Sequence, residues 1–298
     1  MYDSSDPRSV LSDTSDHAAT SDAAVISRFY DVPPQYAEDS ADYWYVRGQN
    51  FITVYIEARG GLVFSRKGQI DEYAVLIPDA GTMVEVRSLD SVERVSGGSI
   101  LFVPPGDSAL TVLSPGRLIV LVTALSKDLC ERCANNSAFA LQNARIPLFR
   151  PGPGPADGFR VRRYSLDVPD VPGRFGRIWS CSTFMINVFP EQIGPRDTTK
   201  LSPHQHGTFE QGSLVLEGTY MHHLRWAWTK DLSAWREDAH ELCNSPSLAI
   251  IPPGVIHTSR AVAPGVNRLV DIFSPPRLDF SQQEGWVLNQ KDYPAIQA

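Results

Sequence analysis

Residues 247–262, SLAIIPPGVIHTSRAV, repeat the outline of residues 99–113, SILFVPPGDSALTVL, with Pro-Pro-Gly on Pro-Pro-Gly. Two further pairs keep the same order: RLVDIF (268–273) with RLIVLV (117–122), and FEQGSLVLEG (209–218) with DEYAVLIPDAG (71–81). One short match arises easily by chance, but a matching series in one order indicates a tandem duplication. The repeated unit is β in character. From Tyr43 onward, runs such as FITVYIEA, TMVEVRSL and RIWSCSTFMINVF are rich in Val, Ile, Leu and aromatics and are broken by Gly, Pro and Asp. Such runs suit the strands of a sandwich or barrel. The fold expected is all-β, two tandem barrels with few short helices.

The 298 residues, 42% of them hydrophobic, are enough for two cores. Residues 1–25 are polar and aperiodic and read as a mobile tail, with the first unit over 26–145. A helical stretch is expected around Asp128–Asn143. The segment IPLFRPGPGPADG (146–158) cannot hold a helix or a central strand and reads as a linker to a second unit over 159–298. Lys+Arg 27 against Asp+Glu 34 gives a net charge of −7 without a basic block, which argues against a nucleic-acid partner. No apolar run approaches the ~18 residues of a membrane span, and the Ser/Asp-rich start lacks a signal-peptide pattern, so a cytoplasmic location is expected. Cys130, Cys133, Cys181 and Cys243 are too scattered for a disulfide framework, and one CxxC without a second pair reads as ordinary reduced thiols.

The second unit carries the chemistry. In LSPHQHGTFEQGSLVLEG (201–218), strand alternation would put His204 and His206 on one face. Glu210 or Gln211 follows after a turn, and His257 comes much later, after Pro252-Pro253-Gly254. Three neutral imidazoles and an oxygen donor suit one divalent ion: Fe, Mn, Ni, Cu or Zn.

The spacing resembles the cupin superfamily, whose first motif is HxH, three or four residues, Glu, six residues, Gly, and whose second is PxG, two residues, His. His204-x-His206 and Pro252-x-Gly254-x-x-His257 fit directly, which implies that the three histidines are metal ligands and that each half is a jelly-roll barrel. The fourth ligand departs from the pattern. Glu210 has the carboxylate but lies seven residues before Gly218; Gln211 has the six-residue gap but is an amide. Register counted back from the glycine favours Gln211, ligand chemistry favours Glu210, and both remain candidates. An amide there leaves more positive charge at the site, which suits an anionic substrate.

The first unit has lost the apparatus. Ala109 stands at the position of His257, Arg66 and Gly68 stand where His204 and His206 stand, and no histidine lies between His17 and His204. In YMHHLRWAW (220–228), alternation places Tyr220, His222, Leu224 and Trp226 on one face and Met221, His223, Arg225 and Ala227 on the other. His222, His223 or Tyr220 is a candidate proton handler, and Arg225 a candidate carboxylate clamp. Asp271 is a candidate support for a ligand histidine. The resemblance implies a mononuclear metal enzyme acting on a small organic substrate, with an Fe(II)-dependent dioxygenase favoured. An isomerase or lyase, or a non-catalytic ligand-binding bicupin, is the alternative. A homodimer is also expected, since such barrels often pair through edge strands.

Overall fold

The computed structural model describes residues 22–89, 91–229 and 231–294. Its strands are β1 (Val25–Arg28), β2 (Tyr36–Glu38), β3 (Ala41–Arg47), β4 (Phe51–Ala58), β5 (Val63–Gln69), β6 (Tyr73–Ile77) and β7 (Met83–Ser88). Then come β8 (Ser91–Ser96), β9 (Ser99–Val103), β10 (Gly106–Ser114), β11 (Gly116–Thr123) and β12 (Arg162–Ser165). The second half holds β13 (Ile178–Ser180), β14 (Met185–Val188), β15 (Gln192–Ile193), β16 (Gln211–Glu217) and β17 (Thr219–Trp226). It ends with β18 (Ala239–Asn244), β19 (Ser247–Ile251), β20 (Val255–Ala261) and β21 (Val266–Phe273). The α-helices are single turns, α1 (Lys127–Cys130) and α2 (Leu278–Ser281).

The duplication is explicit in the topology. One seven-stranded sheet runs β12-β9-β6-β11-β4-β3-β2, and the other runs β1-β19-β16-β21-β14-β13 with β15 added beside β21. Each is backed by a smaller sheet, β5-β10-β7-β8 in the first barrel and β18-β17-β20 in the second. The two Pro-Pro-Gly turns occupy equivalent corners, and Gly106 and Gly254 both adopt left-handed backbone (φ +104° and +83°), where a Cβ would be strained.

Strand alternation sorts the side chains into three layers. One parity of the first barrel, including Tyr73, Val75, Leu110 and Val120, fills its interior with a continuous apolar core. The other parity, including Phe51, Tyr55, Ala74 and Leu76, packs against Leu214, Leu248, Val270 and Ile272 of the second barrel in one shared core. Among the described residues the second barrel's own apolar clusters are smaller, around Met185 and Phe273, around Tyr220 and Leu269, and around Leu224 and Trp226. The space between them is the site.

Several expectations change in detail. Most of the tail expected over 1–25 lies outside the described residues, but Val25 already opens β1, which pairs with β19 of the second barrel (Val25↔Ile250). In return β12 pairs with β9 of the first barrel (Arg162↔Phe102), so the halves exchange edge strands across the proposed division. The helix expected around Asp128–Asn143 is only α1 and a 3-10 turn at Asn136–Phe139, because the buried Leu129, Cys130 and Cys133 seat this segment on the first core. All four cysteines are free and buried.

Candidate metal centre

The turn at Gly254 leads into β20, which aims His257 into the barrel with 3% exposure. The HxH segment is not a full strand. His204 forms an isolated antiparallel bridge with His257, its N–H donating to His257 O at 3.1 Å and receiving His257 N–H on its own O at 2.7 Å. Gly254 N–H donates to His206 O at 2.6 Å. These backbone bonds bring residues 53 positions apart in sequence into contact, and the ring centroids lie 4.4 Å (His204–His257), 4.9 Å (His204–His206) and 5.2 Å (His206–His257) apart. One nitrogen from each ring lies within 4.8 Å of the others, so the triad could hold a metal ion.

The donor chemistry fits a metal. His204 Nδ1 lies 2.9 Å from Ser202 O, and His257 Nδ1 lies 2.9 Å from Val255 O. A carbonyl only accepts, so both Nδ1 atoms carry a proton, and in the neutral form of each ring the lone pair is on Nε2. Burial, then Arg277 and the two neighbouring imidazoles, holds the pKa of His206 well below its ordinary value, which favours the neutral ring. His206 stacks on Phe209 at 4.4 Å between centroids, which fixes its plane.

Register decides between the two oxygen candidates. In β16, Gln211, Ser213 and Val215 face the barrel interior, whereas Leu214 and Leu216 face the shared core. Gln211 turns inward, its Oε1 2.9 Å from His206 Nε2. Glu210 turns the other way and leaves the histidines: its Oε2 accepts from Gln49 N–H at 2.9 Å and its Oε1 from Asn50 N–H at 2.8 Å, both in the first barrel. Glu210 is thus an inter-barrel tie and not part of the cluster, because one step along a strand reverses the face.

A cavity of 660 Å³ opens beside the triad, lined by His204, His257, Gln211, Tyr220, Ser259 and Asp271, with Phe175, Phe189 and Leu269 as apolar wall and Arg196 and Lys200 also in the lining. Among the described residues the first barrel holds no counterpart of the histidine triad. Its register places Ser65 opposite Ala109 as His204 stands opposite His257, a one-residue correction to the Arg66 alignment, and Arg66 instead ion-pairs with Asp128 at 2.5 Å.

No protein-family model and no curated protein matches the sequence. Solved structures do match. AerE from Microcystis aeruginosa superposes with a TM-score of 0.55 at 11% identity, covering 82% of this chain and 98% of that one. A formate complex of the oxalate decarboxylase from Lactobacillus farciminis gives 0.55 at 10% identity, with 88% of each chain covered. A mutant oxalate decarboxylase from Bacillus subtilis gives 0.57 at 10% identity, covering 90% and 83%. The fold is a bicupin. At these identities the likeness concerns the fold and leaves the chemistry to the residues.

In the C-terminal cupin barrel, the YMHHLRWAW strand alternates as its sequence predicts. Tyr220 lines the cavity with 5% exposure. His222 is wholly buried behind the wall, its Nδ1 2.7 Å from Ser259 Oγ, and its Nε2 has no hydrogen-bond partner among the described residues. Burial, with His257 and His223 nearby, pushes its pKa down to about 4, so it is neutral at pH 7. His223 and Arg225 face outward, contrary to a role in the cavity. His223 Nδ1 lies 2.8 Å from His240 Nδ1, and Arg225 ion-pairs with the exposed Asp238 at 2.5 Å. Sequence reasoning missed Ser259 and Phe209. Ser259 shares the parity of His257, which is the signal that would have found it, whereas the Phe209 stack depends on how the loop folds.

Among the described residues no helix is long and apolar enough to cross a membrane.

Proposed function

We propose that this bicupin is a mononuclear metal-dependent enzyme of dioxygenase type, acting on a small organic substrate in the cavity of its C-terminal barrel. The observation that carries the reading is the convergence of three imidazoles, two of them with Nδ1–H held by backbone carbonyls, beside a substrate-sized cavity that His204 and His257 line. His204, His206 and His257, with Gln211 as the oxygen donor, would hold one divalent ion, with Fe(II) favoured. Such an ion supplies Lewis acidity and, as iron, one-electron chemistry with dioxygen.

The protein's own groups then bind and orient. Tyr220 keeps its proton because burial, chiefly, raises the phenol pKa, so it donates a hydrogen bond to a substrate oxygen and does not act as a base. Ser259 presents a hydroxyl to the cavity and is backed by His222 Nδ1 at 2.7 Å, so it can accept or pass a proton at Oγ. The lining mixes two basic residues, Arg196 and Lys200, with two acidic ones, Glu191 and Asp271, so its polar groups can pair with either sign of substrate charge.

The similarity to oxalate decarboxylases favours a second reading, a metal-dependent lyase. One experiment separates the two. The protein is purified anaerobically with Fe(II) or Mn(II) and assayed for oxygen uptake and for turnover under nitrogen on phenolic, diketone and hydroxy-acid substrates. Oxygen uptake is expected; turnover under nitrogen alone would replace the dioxygenase with the lyase. Elemental analysis should find about one ion per chain, and its loss in His257→Ala; equal metal in both would sink the site assignment.

A further inference from the structure

Gln211, Ser213 and Asp271 form a chain of buried polar side chains running away from the triad. Their exposures are 3%, 0% and 7%. Gln211 Nε2 donates to Ser213 Oγ at 2.9 Å, and Ser213 Oγ donates to Asp271 Oδ1 at 2.7 Å. The direction of this chain follows from chemistry alone. A carboxylate can only accept, so the Ser213 proton goes to Asp271. The lone pairs of Ser213 then require a donor, which only the –NH2 end of the amide supplies. The remaining end, Oε1, is therefore turned to the histidines and accepts from His206 Nε2–H at 2.9 Å, a proton that a bound ion would displace.

The N-terminal barrel is an internal control. Tyr73 pairs with Val103 as Gln211 pairs with Ile251, and Val75 pairs with Val120 as Ser213 pairs with Asp271. The positions equivalent to Gln211, Ser213 and Asp271 are thus Tyr73, Val75 and Val120, which sit in a continuous apolar core. Where the histidines are gone, the hydroxyl and the carboxylate are gone too. A packed barrel of this type has no need of them, since burying a charge is costly unless the surroundings require it.

We infer that Ser213 and Asp271 are positioning residues that lock the Gln211 amide with its oxygen toward the histidine triad, converting a freely flipping amide into an oriented neutral donor. The inference rests on the metal-site reading above. It adds that the anion of this site stands two hydrogen bonds away from the donor oxygen, instead of being the donor itself. Asp271, which itself lines the cavity, then compensates the ion's charge through the hydrogen-bond chain and not by direct ligation.

The test loads wild type, Ser213→Ala, Asp271→Leu and Gln211→Ala with Co(II) under nitrogen, with no substrate. It reads the Co(II) affinity, the visible d–d band and the thermal midpoint. Asp271→Leu is close to isosteric and matches the apolar residue of the other barrel, so it remains informative if Ser213→Ala folds poorly. Ser213→Ala and Asp271→Leu should each bind Co(II) about 10- to 100-fold more weakly, with the d–d band moved to that of Gln211→Ala. Bands identical to wild type overturn the inference, and so does weaker binding with an unchanged band, which would mark a merely structural role. If wild type itself binds no Co(II), the metal-site reading falls and takes the inference with it. Wild-type binding with wild-type-like variants removes the inference alone.

Discussion

Glu210 and Gln211 are adjacent, both are wholly or nearly buried, and they serve opposite sides of one strand. Truncating each should separate the roles. Glu210→Ala leaves the Gln49 and Asn50 N–H groups without their acceptor, at about 1–3 kcal/mol for each buried group left unpaired. The thermal midpoint should fall by several degrees while metal content stays at the wild-type level. Gln211→Ala should do the reverse, keeping the midpoint within a few degrees and weakening metal binding. Metal loss in Glu210→Ala with an unchanged midpoint would return the carboxylate to the site. Tyr220→Phe removes one hydroxyl from the cavity; it should keep the metal and lower kcat roughly 10²-fold, which steady-state kinetics on any accepted substrate will read. The three histidines were legible in the sequence because each sits on a short motif whose spacing carries geometry. The inward Gln211 was legible through register. The fates of His223 and Arg225 were not, since alternation names two faces without saying which one meets the cavity.

Register is a property of elements, and at that scale the duplication was the strongest sequence signal. The matches at 71–81, 99–113 and 117–122 fall on β6, β9 with β10, and β11, and their partners fall on β16, β19 with β20, and β21. The exchange of β1 and β12 was not legible, because edge pairing depends on which barrel offers an open strand and not on the pairing segment itself. Arg117, near the start of β11, shows how elements of the two barrels are clamped. Its guanidinium grips Asp79 at 2.5 Å, and its Nη1 donates to Leu216 O in β16, also at 2.5 Å. Burial raises the Asp79 carboxyl, but the guanidinium and the Arg117 N–H outweigh it and hold its pKa below the ordinary value. A carboxyl depressed in the folded state stabilises above its unfolded pKa, about 3.9, and that stabilisation is lost as pH falls through the folded value. Urea midpoints of wild type should therefore drop below about pH 4, and Asp79→Asn should flatten that acid limb while costing about 1 kcal/mol at pH 7. An unchanged acid limb in the variant would remove Asp79 from the linkage.

The whole molecule should unfold as one unit, because its central core belongs to both barrels. Glu72 and Glu210 occupy duplicated positions, and each reaches into the opposite barrel: Glu72 accepts from Ser182 N–H at 2.9 Å and from Ser182 Oγ at 2.8 Å, as Glu210 accepts from Gln49 and Asn50. Between these ties, Phe51 packs so closely on β16 that a Cβ added at Gly212 would lie 3.1 Å from its ring. Phe51 belongs to the metal-free barrel, yet the strand it presses on begins with Gln211. Phe51→Ala should cost about 3–5 kcal/mol. The loss should appear as one shifted transition, in which calorimetric unfolding and release of a bound ion coincide. Two barrels with separate cores would instead give two transitions, with metal release following only the second. Coincidence would indicate that the first barrel supports the site through the packing of Phe51 on the strand that begins with Gln211. A resolved, metal-independent transition for the N-terminal barrel in wild type would refute that coupling.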